Sequence, residues 1–397
     1  MQVKKVNLSL LNIISIGIGS IVGAGIFALL GQVILQAGEL TYLSFLIGAF
    51  AAIMCGYSYA KLAGTYPQSG GLTEYFRIAF KHKWISGGFT IIYYVTSAVS
   101  ICMIAKSFGI YINELLPAFW QGKEVVNALA TVLIVSIAFL NMLSTKDVGR
   151  TETILVATKM GILLLIILAA FAHFDLHLTQ PVFEAKPLAF LGSIGITFFA
   201  YAGFGVITNG AADVENPKRT MAWGIYLTLL IVALLYVSLA FVILNFIPFE
   251  QIKQNADVAV ALAARKLLGE TGYVLIYIAA VIAFISAVSA TFFSIFRISR
   301  SLARQEIFPH FYNEKFWQKG SWGNFLTTGL IVLATVFFDF TAIVNLASGA
   351  YLVSYLAVFA ANWRLRKETG ANVWMVSIGF FGMLFILLAF LVSIWSV

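Results

Sequence analysis

The sequence predicts an all-α integral membrane protein of about eleven spans, two of them interrupted in mid-membrane. Three observations predict it. Hydrophobic residues make up 61% of the 397-residue chain and charged residues only 11%, against about 25% charged in a soluble domain. The apolar residues gather into eleven segments, nearly all of the roughly 20 residues that a helix needs to cross the hydrocarbon core. The first and sixth of these segments carry glycine runs that an uninterrupted helix has no use for.

Composition narrows the classes further. Mean hydropathy is +0.94, so the surface is built for lipid. Aromatic residues reach 15%, with 35 Phe, which suits lipid-facing surface and interfacial belts. The formal charge of +8 does not point to nucleic acid, because the basic residues sit between apolar spans and form no single stripe. Cys55 and Cys102 fall inside spans and read as packed thiols. His82, His173, His177 and His310 lie in or near loops without metal-ligand spacing, so no metal or cofactor is expected. The first apolar run, from Leu8, is too long for a signal peptide and lacks an Ala-x-Ala exit.

The spans are expected at 10–36, 39–63, 84–115, 125–143, 150–172, 188–211, 221–247, 271–299, 325–340, 342–363 and 372–395. The ninth is short, and its boundary with the tenth falls near Asp339. The segment 250–270 has apolar residues at helical spacing (Val258, Val260, Leu262, Leu267), which predicts a short helix on the outer face. Loop charge sets the orientation. With the N-terminus in the cytosol, 18 of the 25 Lys and Arg fall inside, among them Lys4, Lys5, Lys81, Lys146, Arg300 and Arg366; five fall outside. An eleven-span chain in the plasma (inner) membrane then ends outside at Val397. Lys106, near the outer end of span 3, is expected to snorkel to water.

Span 1 holds the run GIGSIVGAGIF at 17–27, and span 6 holds FFAYAGFGVITNG at 198–210. Each glycine costs a helix about 1 kcal/mol relative to alanine. Unwound backbone in a membrane is tolerated only where it is buried or lines a cavity. Gly19-x-x-x-Gly23 taken alone is equally a helix-packing motif. The matching run in span 6 favours paired breaks, as in proteins built from repeated halves. A half-helix N-terminus offers amides to an anion, and a C-terminus offers carbonyls to a cation. A zwitterionic amino acid needs both.

These residues resemble the amino acid–polyamine–organocation (APC) transporter family. GSIVGAGIF at 19–27 is similar to its first-helix signature, and PQSGG at 67–71 to its Pro-x-Ser-Gly-Gly loop. FFAYAGFGVITNGAADVENPKR at 198–219 resembles its sixth helix and the following turn; ISRSLARQEIFP at 298–309 resembles the exit of its eighth. The resemblance implies a LeuT-type fold in one domain, 1–397, with inverted repeats at about 8–172 and 186–366 and an extra helix at 372–395. It implies a substrate carboxylate at the amides of Gly23, Ala24 and Gly25, and an ammonium at carbonyls of Ile21, Phe199, Ala200 and Ala202, beside Gly203. Phe199 would be the outer lid, and Tyr93 would line the inner side. The chain departs from the family in three places. It stops at eleven spans where twelve are common, Leu72 and Thr73 stand where the loop motif usually has tyrosine, and Gly205 stands where several relatives for cationic amino acids have an acid. The last departure favours a neutral substrate.

Lys159 lies midway along span 5. A charge there costs about 3 kcal/mol or more and marks a functional position by default. In the family, a lysine on helix 5 often stands where sodium-coupled relatives bind Na⁺. The resemblance implies bonds from Lys159 to helix 1 carbonyls near Gly19 and Val22 and to helix 8 hydroxyls such as Ser286 or Ser289. Transport would then be Na⁺-independent. A titrating Lys159 would couple it to protons; a permanently charged one would leave an exchanger, exporter or facilitator. Glu215, Lys218 and Arg219, after span 6, read as cytosolic gate contacts or as a solvated turn.

A secondary amino acid transporter working by alternating access is the leading reading. A membrane-embedded enzyme would need converging nucleophile, base or metal ligands, and the spans supply no His and no paired carboxylates. A channel would show rings of like charge or repeated filter loops. The expected partners are an amino acid, the bilayer and, with a titrating Lys159, protons. The sequence does not give the oligomeric state.

Overall fold

The computed structural model describes residues 8–68, 70–143, 148–173, 185–317 and 320–395. Lys4, Lys5, Ser69, Lys146, His177, Lys319 and Val397, used in the charge, motif and topology readings, lie outside the described residues. Nine described helical stretches are long and apolar enough to cross a membrane, and Leu10–Ile21 and Trp322–Phe337 are shorter apolar helices. Helix occupies each of the eleven segments expected from sequence.

Span 1 is built in pieces. Ser9 caps α1 (Leu10–Ile21): its Oγ accepts from the Asn12 amide at 3.2 Å, and the Asn12 side chain accepts from the Ser9 amide at 3.0 Å. This reciprocal cap satisfies amides that the first turn leaves open. Val22 then leaves helical geometry at φ −77, ψ 73. Helix resumes in α2 (Ala24–Phe27) and α3 (Leu29–Ala37), joined through Ala28 at φ −110, ψ −24.

Next come α4 (Thr41–Thr65), α5 (Leu72–Ala79), α6 (Lys83–Glu114), α7 (Lys123–Leu143) and α8 (Val148–Ala172). Span 6 starts as α9 (Pro187–Tyr201), with proline in the first turn, where its missing N–H costs nothing. Ala202 and Gly203 break it, and the chain continues as a 3-10 helix over Phe204–Asp213. Asn216 caps α10 (Pro217–Phe246). The segment after α10 forms α11 (Phe249–Gln254) and then the start of α12 (Ala259–Arg304), which is interrupted at Gly269 (φ 65). The short antiparallel strands β1 (Lys315–Trp317) and β2 (Gly320–Ser321) lead into α13 (Trp322–Phe337). Asp339 settles the boundary with the next span. Its side chain accepts from the Ala342 amide at 2.7 Å and starts α14 (Phe340–Arg364). The short α15 (Arg366–Thr369) and then α16 (Val373–Trp395) follow.

α1 packs on α8, α10 and the 3-10 segment, α4 on α9 and α10, and α6 on α12 and α14. The broken spans thus lie inside a ring of intact helices. On α16, Trp374, Ile378, Phe381, Phe385, Leu388 and Val392 are exposed at three- and four-residue spacing, an apolar stripe that suits lipid.

One element was not anticipated and one expectation needs correction. The stretch after span 2 carries a helix: Leu72, Tyr75, Phe76 and Ala79, at helical spacing, bury one face of α5. Lys106 does not snorkel to water. It is buried, and its ammonium donates to the Phe338 carbonyl just past the C-terminal end of α13. The negative end of that helix dipole offers the charge a closer partner than solvent.

Candidate functional site

The two breaks meet. Gly203 adopts φ 116, ψ −24, a conformation that L side chains rarely take, and a Cβ there would stand 2.8 Å from the Ser20 carbonyl oxygen. Ser20 Oγ donates to the Gly203 carbonyl at 3.0 Å. Gly25 backs onto α9 so closely that a Cβ would lie 2.7 Å from the Ala200 carbonyl oxygen. The absence of side chains at these glycines lets the interrupted helices cross backbone to backbone.

A cavity of about 50 Å³ lies at this crossing. At ~10–15 Å³ per water it has room for roughly three to five waters. The expected residues Ile21, Gly23, Gly25, Tyr93, Phe199, Ala200, Ala202 and Gly203 line it. Ala24 opens α2 beside them. The sequence reading missed other wall residues: Tyr59, then Ser100, Met103 and Ile104 on α6, Thr291 and Ser294 on α12, and Tyr351 and Tyr355 on α14. Their spacing by three or four residues was a usable signal, but periodicity alone does not say which face looks inward. None of the described residues that line it is charged.

The backbone groups at the breaks are partly engaged. Ile21 O accepts from the Gly23 amide at 2.8 Å and from Tyr236 Oη at 3.1 Å, which uses both carbonyl lone pairs. Phe199 O accepts from the Ala202 amide at 2.9 Å. The Phe199 ring packs on Tyr351, centroids 5.2 Å apart, and Tyr351 on Tyr355 at 5.8 Å. Phe204 also stacks on Tyr355, centroids 5.4 Å apart.

Lys159 is fully buried on α8. Its Nζ donates to Gly19 O at 3.0 Å and Val22 O at 2.6 Å, both at the carbonyl end of α1. Helices α1, α8 and α12 touch one another here. Ser286 is buried on α12, and Ser289 accepts from Asn141 Nδ2 at 3.3 Å.

A second cavity, of about 660 Å³, shares Tyr93, Gly205 and Ser294 with the first and extends to Gln68, Glu74 and Arg304. The opposite side is packed shut. Gln32 Nε2 donates to Asp257 Oδ1 at 2.6 Å, and Tyr111 Oη to Phe27 O at 2.7 Å. A Cβ on Gly31 would collide with the Ala256 carbonyl.

Residues 8–396 match the model of the amino acid permease family. The chain belongs to that family. This permease is therefore a multi-pass membrane transporter of the APC type, not an enzyme, and amino acid transport is the activity its family supports. It is 38% identical to the inner membrane transport protein YbaT of Escherichia coli (strain K12), over 98% of this chain and 90% of that one. It is 28% identical to the chloroplastic cationic amino acid transporter 9 of Arabidopsis thaliana, over 65% of this chain and 48% of that one. It is 30% identical to the branched-chain amino acid permease BcaP of Bacillus subtilis (strain 168), over 59% and 54% respectively.

Proposed function

We propose that this permease is a Na⁺-independent carrier of neutral amino acids that binds its substrate between the broken spans 1 and 6. The uncharged wall of the central cavity carries this reading. A cationic side chain would find no carboxylate there, and an anionic one no cation. The place where some relatives carry an acid is Gly205, and a Cβ there would meet the Tyr59 ring at 2.9 Å. The substrate carboxylate would face the opening amides of α2 at Ala24 and Gly25. The ammonium would face the carbonyls of Ala200 and Ala202 more readily than Ile21, whose oxygen is already doubly engaged. Phe199 would close over the substrate with Tyr351.

Sodium is excluded on this reading because the Lys159 ammonium already occupies the Gly19 and Val22 carbonyls that an ion would need. Lys159, with Gly19, Val22, Ser286 and Ser289 around it, is then the coupling position. If it titrates during the cycle, transport is proton-coupled; if it stays charged, the protein exchanges or releases amino acids without a proton. The chain is read as one domain with inverted repeats at about 8–172 and 186–366. The side rich in Lys and Arg faces the cytosol and the C-terminus faces out, so the large vestibule opens inward.

The test is a thermal-shift screen of the purified protein against all amino acids, followed by uptake in liposomes. A ligand at 100 times its Kd stabilises the folded state by about 2.7 kcal/mol. Neutral L-amino acids should raise the transition and show saturable, stereoselective uptake that is equal in Na⁺ and choline. Uptake that requires Na⁺, or a shift with cationic amino acids alone, would overturn the proposal.

A further inference from the structure

Arg297, Arg300 and Arg304 stand at i, i+3 and i+7 along the last turns of α12, and all three line the 660 Å³ vestibule. Residues at that spacing share one helix face. Arg297 and Arg304 are exposed and Arg300 is half-buried, so their charges meet the solvent of the vestibule that they line. Arg297 lies 4.1 Å from the centre of the Phe293 ring, which also lines the vestibule. Arg300 Nε donates to Phe296 O of its own helix at 3.0 Å. Among the described residues Glu74 is the one acid in the same lining, and it is paired with Arg77. Asp213 lies within electrostatic reach of Arg297. Glu306, just past Arg304, is paired with Lys83. The vestibule wall is therefore net positive, and the central cavity it leads to is uncharged. With a Debye length of about 8 Å at physiological salt, charges set around such a mouth are only partly screened.

We infer that this arginine face is an electrostatic filter at the inner mouth of the carrier. It draws in carboxylates, including zwitterions that lead with the carboxylate and acidic amino acids, and turns away amino acids of net positive charge. The potential exists whatever the protein carries; its effect on which amino acids are released or taken up rests on the transport reading. Clefts lined by one sign of charge concentrate counter-ions by about 10- to 1,000-fold. Three arginines partly offset by Asp213 belong near the lower end.

The experiment is a charged-reagent rate ratio at Ser301→Cys, a position that lines the vestibule. Detergent-solubilised protein is treated with the anionic sulfonatoethyl and the cationic trimethylammonioethyl methanethiosulfonate. The cysteine thiolate attacks the reagent's thio sulfur, forms a mixed disulfide and displaces methanesulfinate. Cys55 and Cys102 are buried, and the wild-type chain gives their background. Any change in thiolate fraction affects both reagents alike and cancels in the ratio. After normalisation to free 2-mercaptoethanol, the anion-to-cation ratio should be about 100 at low salt, a roughly tenfold enrichment of the anion multiplied by a roughly tenfold depletion of the cation. It should fall toward 1 in R297Q/R300Q/R304Q and in high salt, and persist in R297K/R300K/R304K. A ratio unchanged by the Gln triple overturns the filter. In liposomes, L-lysine should inhibit L-alanine counterflow at least about fivefold better in the Gln triple than in wild type, as the same principle requires. A charge-dependent ratio without any alanine counterflow would uphold the filter and sink the transport reading. Counterflow with a flat ratio would do the reverse.

Discussion

Gly203→Ala tests whether the crossing of the broken spans depends on a missing side chain. Gly203 sits at φ 116, and a Cβ would stand 2.8 Å from Ser20 O and 3.1 Å from Ser20 Oγ. A residue held in such a backbone region costs about 1–3 kcal/mol. The Ser20 carbonyl belongs to the α1 backbone and must retreat, which stretches the Ser20 Oγ to Gly203 O bond, worth about 1 kcal/mol. The expected loss is therefore about 2–4 kcal/mol. Gly161→Ala on α8 is the control: a Cβ there meets nothing within 4 Å, and alanine should gain up to ~1 kcal/mol of helix propensity. Thermal unfolding of both variants in the same detergent measures the difference. Gly203→Ala should melt several degrees below wild type, and Gly161→Ala at or above it. Equal melting of the two variants would refute the argument that this backbone position requires glycine.

Lys159→Met should abolish coupled uptake in liposomes and remove any response to a pH gradient, while leaving expression and folding close to wild type by size-exclusion chromatography. Asp339→Ala removes the N-cap of α14 and should cost about 1 kcal/mol in chemical unfolding, with Asp339→Asn recovering most of it. Glu306 is held below the usual carboxylate range by its bond to, and the charge of, Lys83. Its contribution is therefore present above a pH of about 4.3 and lost as pH falls through the depressed value. The melting difference between wild type and Glu306→Gln should be small at neutral pH, shrink in strong salt, and vanish toward pH 3.

The span count and the two breaks were legible because lipid leaves few options. A run of about 20 apolar residues with little charge has no other stable home, and four glycines in nine residues at 17–25 have no role in a plain helix. The same reasoning fixed the neighbourhood of the breaks to within a residue or two, at Val22–Gly23 and Ala202–Gly203. It could not find Tyr351, Tyr355, Ser100 or Thr291. Membrane helices are apolar all round, so an inward face differs little in composition from a lipid face. Lys106 was misplaced for a related reason: its partner is a backbone carbonyl 232 residues further along, and carbonyls leave no trace in a sequence. α5 was overlooked although Leu72, Tyr75, Phe76 and Ala79 showed its period, because eight residues with Glu74 and Arg77 among them look like loop.

On the proposed reading, Lys159 is the place where the energetics are most finely set. A charge in mid-membrane costs about 3 kcal/mol on the insertion scale. Two charge-assisted bonds, to Gly19 O and Val22 O, return about 1.5–3 kcal/mol each. The gain from these two bonds roughly matches or exceeds the cost, so the ammonium is most stable while both carbonyls stay where the end of α1 puts them. Those carbonyls sit immediately before the break, on the segment whose Ser20 touches Gly203 and whose continuation carries Gly25 against Ala200. Any rearrangement that separates the two broken helices therefore moves the acceptors of Lys159 as well. A state that loses one of the two bonds gives up about 1.5–3 kcal/mol of that compensation, and a state that loses both gives up twice as much. On the proposed reading, a substrate bridging the same two breaks and the lysine would act on one shared piece of backbone, and that sharing is what coupling requires.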